Sequence, residues 1–205
     1  MKYSLLLIII IVFLSPLNIP QSKFKIGLSG GYSLNILKPE ILQNWNDGLC
    51  AGGEFTYSLV SNIDLGLNFN YYYYPFNGRY LQIITPAVVG LSYKIEGTSS
   101  DAEEVSICTR FIKTAAFLNS YLIIKTGVYR INIGEVKLWG LNNTSYSRYW
   151  SNGISKTNVF ASFGYGVIIP FSAGTRLLIE GYFQQVFSEA GITTFPIQAM
   201  FQYSL

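Results

Sequence analysis

The sequence predicts an all-β protein, an antiparallel up-and-down transmembrane β-barrel. Only 12% of its 205 residues are Asp, Glu, Lys or Arg, and 16% are aromatic, whereas soluble domains carry about 25% charged residues. After the N-terminus the chain has no run of about 18 apolar residues, the length that a membrane-spanning helix needs. Apolar and polar residues instead alternate with a period of two, which is typical of strands that cross a bilayer.

Residues 1–22 have the composition of a signal peptide. Lys2 precedes an apolar stretch over residues 5–14, which is too short to span a bilayer as a helix. Pro16 and Pro20 follow that stretch. We therefore expect export, followed by a single barrel domain over residues 23–205.

Seven later segments alternate clearly. In the first, Phe24 and Ile26 fall on one face while Lys25 and Gly27 fall on the other. The other six lie at residues 49–59, 63–73, 81–95, 158–169, 176–187 and 194–205. Residues 121–133 form an eighth segment, in which Lys125 interrupts an apolar face, so we expect a β-bulge there.

The polar face of these segments indicates which side looks outward. It consists mainly of Gly, Ser, Asn and Gln and carries few charges, whereas a soluble sheet protein would show Lys, Glu and Thr to water. We predict that the apolar face meets lipid and that the small polar face lines a narrow interior. Residues 71–74 and Tyr80 are tyrosines at one hairpin end, where an aromatic girdle would lie.

Eight strands place both chain ends on one side of the membrane and four longer connections on the other. Those connections are residues 37–47, 75–79, 138–155 and 188–192.

Residues 96–119 do not fit a short turn. Ser100 and Glu103 match a capping box and the apolar residues recur at helical spacing, which favours a short amphipathic helix under the barrel, on the periplasmic side. The alternative is a strand over residues 105–117, which with a partner near Val136 would raise the count to ten.

Three short motifs resemble those of a known family. Residues 195–205 look like a terminal barrel strand, although family members usually end in Phe and this chain ends in Leu205. The tripeptides Gly164-Tyr165-Gly166 and Glu180-Gly181-Tyr182 are also similar to sequences of that family. Over roughly residues 23–205 the chain resembles the eight-stranded OmpA-like and OmpX-like outer-membrane barrels. The resemblance implies a bacterial outer membrane, with membrane lipid and the barrel assembly machinery as partners; members differ widely in function.

Six charged residues are predicted to line the interior. They are Glu54, Asp64, Lys94, Lys125, Arg176 and Glu180. Charges in a narrow interior must be paired, because breaking a buried pair costs on the order of 3–5 kcal/mol. We expect a network of ion pairs that stiffens the barrel; the alternative is a proton or ion path, or a catalytic carboxylate pair.

No catalytic centre is predicted. The sequence contains no His, which removes the commonest general base and metal ligand, and it indicates no cofactor or metal. Cys50 and Cys108 are the only cysteines, and they either pair or stay free. The net charge of +3 is not concentrated in a run, so nucleic acid is not an expected partner.

The loops are the candidate contact regions. They hold the residue types that are enriched at binding hot spots, namely Trp45, Trp139, Tyr146, Arg148, Tyr149 and Trp150. The alternative is that these aromatics sit at the membrane interface. We expect a structural or surface-interaction role in which the loops bind an extracellular ligand or protein. The other possibility is a narrow channel or transporter for a small or apolar solute.

Overall fold

Strands form almost all of the part of the chain that the structure, a computed structural model, describes: residues 23–37, 43–78, 93–114, 119–140, 147–172, 174–188 and 191–205. The strands are β1 (Phe24–Leu37), β2 (Gly48–Val60), β3 (Ile63–Tyr74), β4 (Tyr93–Gly97), β5 (Ser100–Lys113), β6 (Asn119–Gly140), β7 (Ser147–Pro170), β8 (Thr175–Phe187) and β9 (Ile192–Ser204). Within these ranges no helix is long and apolar enough to cross a membrane.

Eight of these strands close into a barrel. The order is β1-β2-β3-β5-β6-β7-β8-β9, each strand is antiparallel to the next, and β9 pairs with β1. Closure leaves no sheet edge in the barrel wall, as hydrocarbon surroundings require. We call the end with residues 23 and 205 the termini end. The opposite end, where β1, β3, β6 and β8 end, is the loop end.

The favoured helix within residues 96–119 is wrong. Residues Ser100–Lys113 form β5, which pairs with β3 on one side and β6 on the other. Val105 and Ile107 face outward and are exposed, whereas Cys108 faces inward and is buried. A strand with apolar residues on both faces also matches helical spacing, which explains the error.

The strand count of eight is confirmed, with a different membership from the one predicted. The alternative interpretation, a strand over residues 105–117, is correct in that a strand forms in this segment. The barrel nevertheless has eight strands rather than ten. The predicted fourth strand, residues 81–95, lies outside the described residues except for its end, which belongs to β4. β4 pairs with the far end of β6 in the same register as β5, with Tyr93 opposite Gly140 and Asp101 opposite Asn132.

The interior of β6 shows that alternation, rather than polarity, decides which way a side chain points. Pairing of β6 with β5 and β7 is continuous through Lys125, so the bulge expected there is wrong. Lys125 points inward together with Ile123 and Tyr129, and all three side chains are buried. The register shift between β6 and β7 lies instead at Val136 and Lys137.

The outer surface is an apolar belt, as the sequence predicts. Outward side chains of the barrel strands stay exposed, among them Leu28, Phe69 and Phe163. The tyrosine run at the end of β3 is divided between the two faces. Tyr71 and Tyr73 are exposed, while Tyr72 and Tyr74 are buried, and Tyr80 lies outside the described residues. Half of that run therefore belongs to the lumen.

The β6–β7 hairpin rises above the barrel wall at the loop end. These strands have 22 and 24 residues. β5 pairs with β6 as far as Asn132 and β8 pairs with β7 as far as Val159, but the β6–β7 ladder continues to Trp139 opposite Ser147. At about 3.3 Å per residue, the ladder extends roughly 25 Å beyond Asn132. We call this part, with β4 beside it, the loop-end extension. Most of the connection predicted over residues 138–155 is thus strand.

Candidate functional site: a filled lumen with a closed loop end

Arg110 organises the centre of the lumen. Its guanidinium pairs with both oxygens of Glu54, with Nη2 at 2.7 Å from Oε2, and Nη2 also donates to Glu180 Oε2 at 3.1 Å. Lys125 Nζ and Tyr121 OH each donate to Glu180 at 2.9 Å. All five side chains are buried, and two cations balance two carboxylates. We call this set the central cluster.

A second set of charges lies nearer the termini end, around Asp64. Lys25 Nζ lies 3.1 Å and Arg176 Nη2 2.6 Å from Asp64 Oδ2, and Ser58 Oγ donates to Oδ1 at 2.6 Å. Two cations therefore share one buried carboxylate. We call this set the lower cluster.

Gln202 of β9 joins the two clusters. Arg176 Nε donates to Gln202 Oε1 at 2.6 Å, and Gln202 Nε2 donates to Thr56 Oγ1 at 2.7 Å and to Glu54 Oε1 at 3.3 Å. Seven of the eight barrel strands contribute to the resulting network. Because its bonds cross the lumen, the network ties strands that are not neighbours in the sheet.

Glu104 is a fourth buried carboxylate, held by neutral donors. Asn70 Nδ2, Tyr72 OH and Ser106 Oγ donate to it at 3.2, 2.7 and 2.9 Å. Within the described residues it forms no ion pair. It lies on β5, six residues from Arg110 toward the loop end. Charged side chains fill the lumen on the Arg110 side of Glu104, and aromatic side chains fill it on the other side.

Aromatic rings fill the lumen toward the loop end. Tyr72 and Tyr129 lie with ring centroids 5.9 Å apart, and the hydroxyls of Tyr74 and Tyr129 are 3.0 Å apart. Phe160 lies edge-on to Tyr129 at 6.4 Å. Buried aliphatic side chains surround these rings, among them Ile131, Ile133, Val136, Val186 and Ile192. The interior here is packed like a protein core.

Two chain segments, residues 43–47 and 75–78, close the loop end, and we call them the loop-end cap. Trp45 is 2% exposed, its Nε1 donates to Thr98 O at 2.9 Å, and its ring packs edge-on against Phe76. Backbone hydrogen bonds from Asn46 N to Pro75 O and from Asn77 N to Asn44 O join the segments. Asn77 Nδ2 also donates to Asn46 Oδ1 at 2.7 Å.

Inward glycines make room for the large side chains. A Cβ atom at Gly166 would collide with the ring of Tyr121, and one at Gly164 would collide with Tyr182. The ring of Tyr121, whose hydroxyl donates to Glu180, therefore lies directly against the backbone of β7 at Gly166, whereas at Gly164 the close neighbour is the backbone of β8. This explains the glycine steps of that strand.

The structure brings together five of the six charged residues predicted to line the lumen. Glu54, Lys125 and Glu180 belong to the central cluster, and Asp64 and Arg176 belong to the lower cluster. The side chain of Lys94 lies outside the described residues.

The sequence analysis does not predict Arg110 as a lumen residue, because residue 110 falls within the segment for which a helix is favoured. It also does not single out Lys25 or Glu104. The alternation across β5 was the available signal: Glu104, Cys108 and Arg110 share one face with a period of two.

The residues predicted as loop contacts lie in two different parts of the structure. Trp45 as an exposed contact is wrong, since it is buried in the loop-end cap. Tyr146 lies outside the described residues. The backbones of Trp139, Arg148, Tyr149 and Trp150 belong to the loop-end extension, and their side chains are not described.

Cys50 and Cys108 are free and buried. Cys50 faces Tyr72 across β2 and β3, and Tyr72 faces Ala102 across β3 and β5, so Cys108 lies two strands and six residues away. These offsets correspond to about 10 Å and about 20 Å, well beyond the roughly 7 Å between Cα atoms that a disulfide allows.

Comparison with solved structures gives the fold. Neisserial surface protein A superposes with a TM-score of 0.52 at 10% identity, covering 89% of this chain and 97% of that one. Ail, the attachment invasion locus protein of Yersinia pestis, gives 0.50 at 13% identity, with 91% and 100% covered. A major outer membrane protein from Thermus thermophilus gives 0.50 at 8% identity, with 89% and 99% covered. No protein-family model matches the chain, and no curated protein gives a significant match.

The closed eight-stranded barrel and its apolar belt define a transmembrane β-barrel of the bacterial outer-membrane type. The fold class predicted from the sequence is confirmed.

Proposed function

We propose that the protein is a non-catalytic, non-conducting outer-membrane barrel with a structural or surface-interaction role. One observation carries the proposal: large buried side chains occupy the lumen from the lower cluster to the loop-end cap. The largest fully buried ones are Arg110, Tyr72, Tyr121, Tyr129, Tyr182, Lys125 and Phe160. An eight-stranded barrel has an interior just wide enough to be filled by side chains.

Single-channel recording in planar bilayers tests the closed lumen. We expect the wild-type barrel to give no current above background, because an ion would have to displace both the ion-pair network and the aromatic rings. A steady conductance in correctly folded wild-type protein would overturn the proposal and favour the channel alternative. Folding is checked by gel mobility, since a closed barrel migrates differently before and after heating.

The loop-end extension is the part that we propose for surface interaction. Its ladder extends roughly 25 Å beyond Asn132. Four of the predicted loop contacts belong to its strands, namely Trp139, Arg148, Tyr149 and Trp150. Because Val136 pairs with Ser151, replacing residues 137–150 by Asn-Gly shortens the hairpin above the buried Val136 without shifting the barrel register.

The shortened hairpin tests the surface role. We expect cells that display the shortened barrel to lose attachment to protein-coated surfaces, relative to cells that display the intact barrel at equal amounts. Equal attachment by two barrels that both show heat-dependent mobility would contradict a surface role for the extension. A purely structural role would then remain.

We further propose that the termini end faces the periplasm and that β9 carries the assembly signal. Outward Phe201 and Tyr203 are exposed on β9, next to the closing pair with β1. Replacing both by Ser is expected to abolish the heat-modifiable band in outer-membrane fractions, whereas replacing outward Phe163 and Tyr165 of β7 is expected to reduce it less.

A further inference from the structure

A cavity of about 260 Å³ opens at the termini end of the barrel. Ile112, Ile168 and Pro170 contribute apolar wall. The remaining lining is polar, with Arg176 and a set of small side chains, Ser61, Thr114, Asn119, Thr175 and Ser204 among them. The volume lies just below the roughly 300–1,000 Å³ of pockets for drug-sized ligands, so it suits a smaller molecule.

Arg176 lines this cavity and has N–H donors that the lower cluster does not use. Its Nε and Nη2 are bonded to Gln202 and Asp64, and Nη1 makes no hydrogen bond within the described residues. A guanidinium has five N–H donors in a rigid planar fork. The edge that carries Nη1 therefore remains available to a second acceptor.

The charge around the cavity is positive. Lys25 and Arg176 share the single carboxylate of Asp64, which leaves an excess of one cation in the lower cluster. Lys23 and Lys113 are exposed at the same end. A partly enclosed cavity with excess positive charge attracts anions.

We propose that this cavity binds a small molecule through a phosphate group. A phosphate presents oxygens in several directions, so it accepts from the free edge of Arg176 and from hydroxyls of the wall together. The phosphate has two possible sources, a soluble phosphate ester and the headgroup of an anionic phospholipid that reaches the barrel rim. This inference does not depend on the proposed surface role.

Titration calorimetry of the purified barrel in uncharged detergent tests the site, with inorganic phosphate and glycerol 3-phosphate as probes. We expect saturable 1:1 binding of glycerol 3-phosphate and at least tenfold weaker binding in Arg176→Gln. Arg130→Gln is the matched control, because Arg130 is an exposed arginine on the outer face of β6 and its loss leaves binding unchanged. Ser172→Trp, at an exposed turn residue that lines the cavity, blocks entry without altering the lower cluster and is expected to abolish binding.

Three results would overturn the proposal: no heat with either probe up to about 10 mM, equal affinity in Arg176→Gln, or equal loss in Arg130→Gln. If Arg176→Gln fails to show heat-dependent mobility, Ser172→Trp alone decides, and unchanged binding in that variant refutes the site. Repeating the titration in phosphatidylglycerol nanodiscs identifies the source. Weakened binding there assigns the site to a lipid headgroup, whereas unchanged binding assigns it to a soluble ester.

Discussion

The two halves of the lumen are filled differently. Around Arg110 and Asp64, in the termini half, cations and carboxylates satisfy one another across the barrel, beside a smaller apolar cluster that includes Ile168, Leu178 and Met200. Around Tyr129 and Phe160, in the loop half, rings and aliphatic side chains are in close contact. The same wall of small inward residues accommodates both fillings.

The stability of the two halves is therefore sensitive to different kinds of mutation. A buried ion-pair network is sensitive to stoichiometry, because removing one charge strands its partner in a low-dielectric interior. A packed apolar interior is sensitive to volume, because lost contacts leave a cavity. Mutations that alter charge or volume separately therefore distinguish the halves.

The largest effect is expected from Arg110→Ala. It leaves Glu54 without a cation and Glu180 with Lys125 alone, so the free energy of unfolding should fall by roughly 3–5 kcal/mol. Denaturant unfolding in detergent micelles measures it. Arg130→Ala is the control, because its pair with Glu103 is exposed at 4.0 Å and should contribute at most about 0.5 kcal/mol.

A paired replacement sharpens this result. In Glu54→Gln/Arg110→Met both members of one pair are removed and Lys125–Glu180 stays balanced. We expect this variant to be more stable than Arg110→Ala, because no carboxylate is left unpaired. Equal instability of the two variants would mean that the termini half depends on shape as well.

Trp45→Ala should cost about 3 kcal/mol, through the cavity left at the loop-end cap. Trp45→Phe keeps the ring contact with Phe76 and loses the bond to Thr98 O, so it should cost only about 1 kcal/mol. The same unfolding assay compares them. A tryptophan that merely covers the mouth would give similar small losses in both variants.

Gly166→Ala should destabilise by roughly 1–3 kcal/mol, because the added methyl group collides with the ring of Tyr121. Gly30→Ala is the matched control on the outer face, where the nearest atom to an added Cβ lies 3.9 Å away, and should change stability by less than about 0.5 kcal/mol. Similar values at both positions would contradict the tight packing of the lumen.

Tyr129→Phe should have the smallest effect, a loss of about 1 kcal/mol, because it removes one hydrogen bond with Tyr74 and keeps the ring. Tyr74→Phe provides the second arm of a double-mutant cycle. The double variant should cost clearly less than the sum of the two singles. Simple additivity would show that the hydroxyls are not coupled.

The sequence predicted the barrel, its faces and most of its lumen charges because period-two alternation reports directly on which side of a strand a residue lies. It failed at β5, where apolar residues occur on both faces, and at β6, where Ile123 and Tyr129 look inward. In such segments polarity and direction are uncoupled, so only the pairing register assigns the face.

The connections were the least predictable part. Whether residue 45 is exposed or buried depends on two distant segments, 43–47 and 75–78, that pair across the mouth. The network shows the same limit, since Arg110 meets Glu54 and Glu180 from strands that are far apart in sequence. Local patterns carry no information on such contacts.

The two native cysteines give the most direct test of a lumen filled in both halves. Cys50 lies in the loop half and Cys108 in the termini half, both inward, buried and free. A small, membrane-impermeant methanethiosulfonate reagent is added to the folded barrel and, in parallel, to denatured chain, and mass spectrometry counts the labels. We expect no label in the folded barrel and two labels after denaturation. Rapid labelling of either cysteine in the folded barrel would contradict a filled lumen and identify the half that is open.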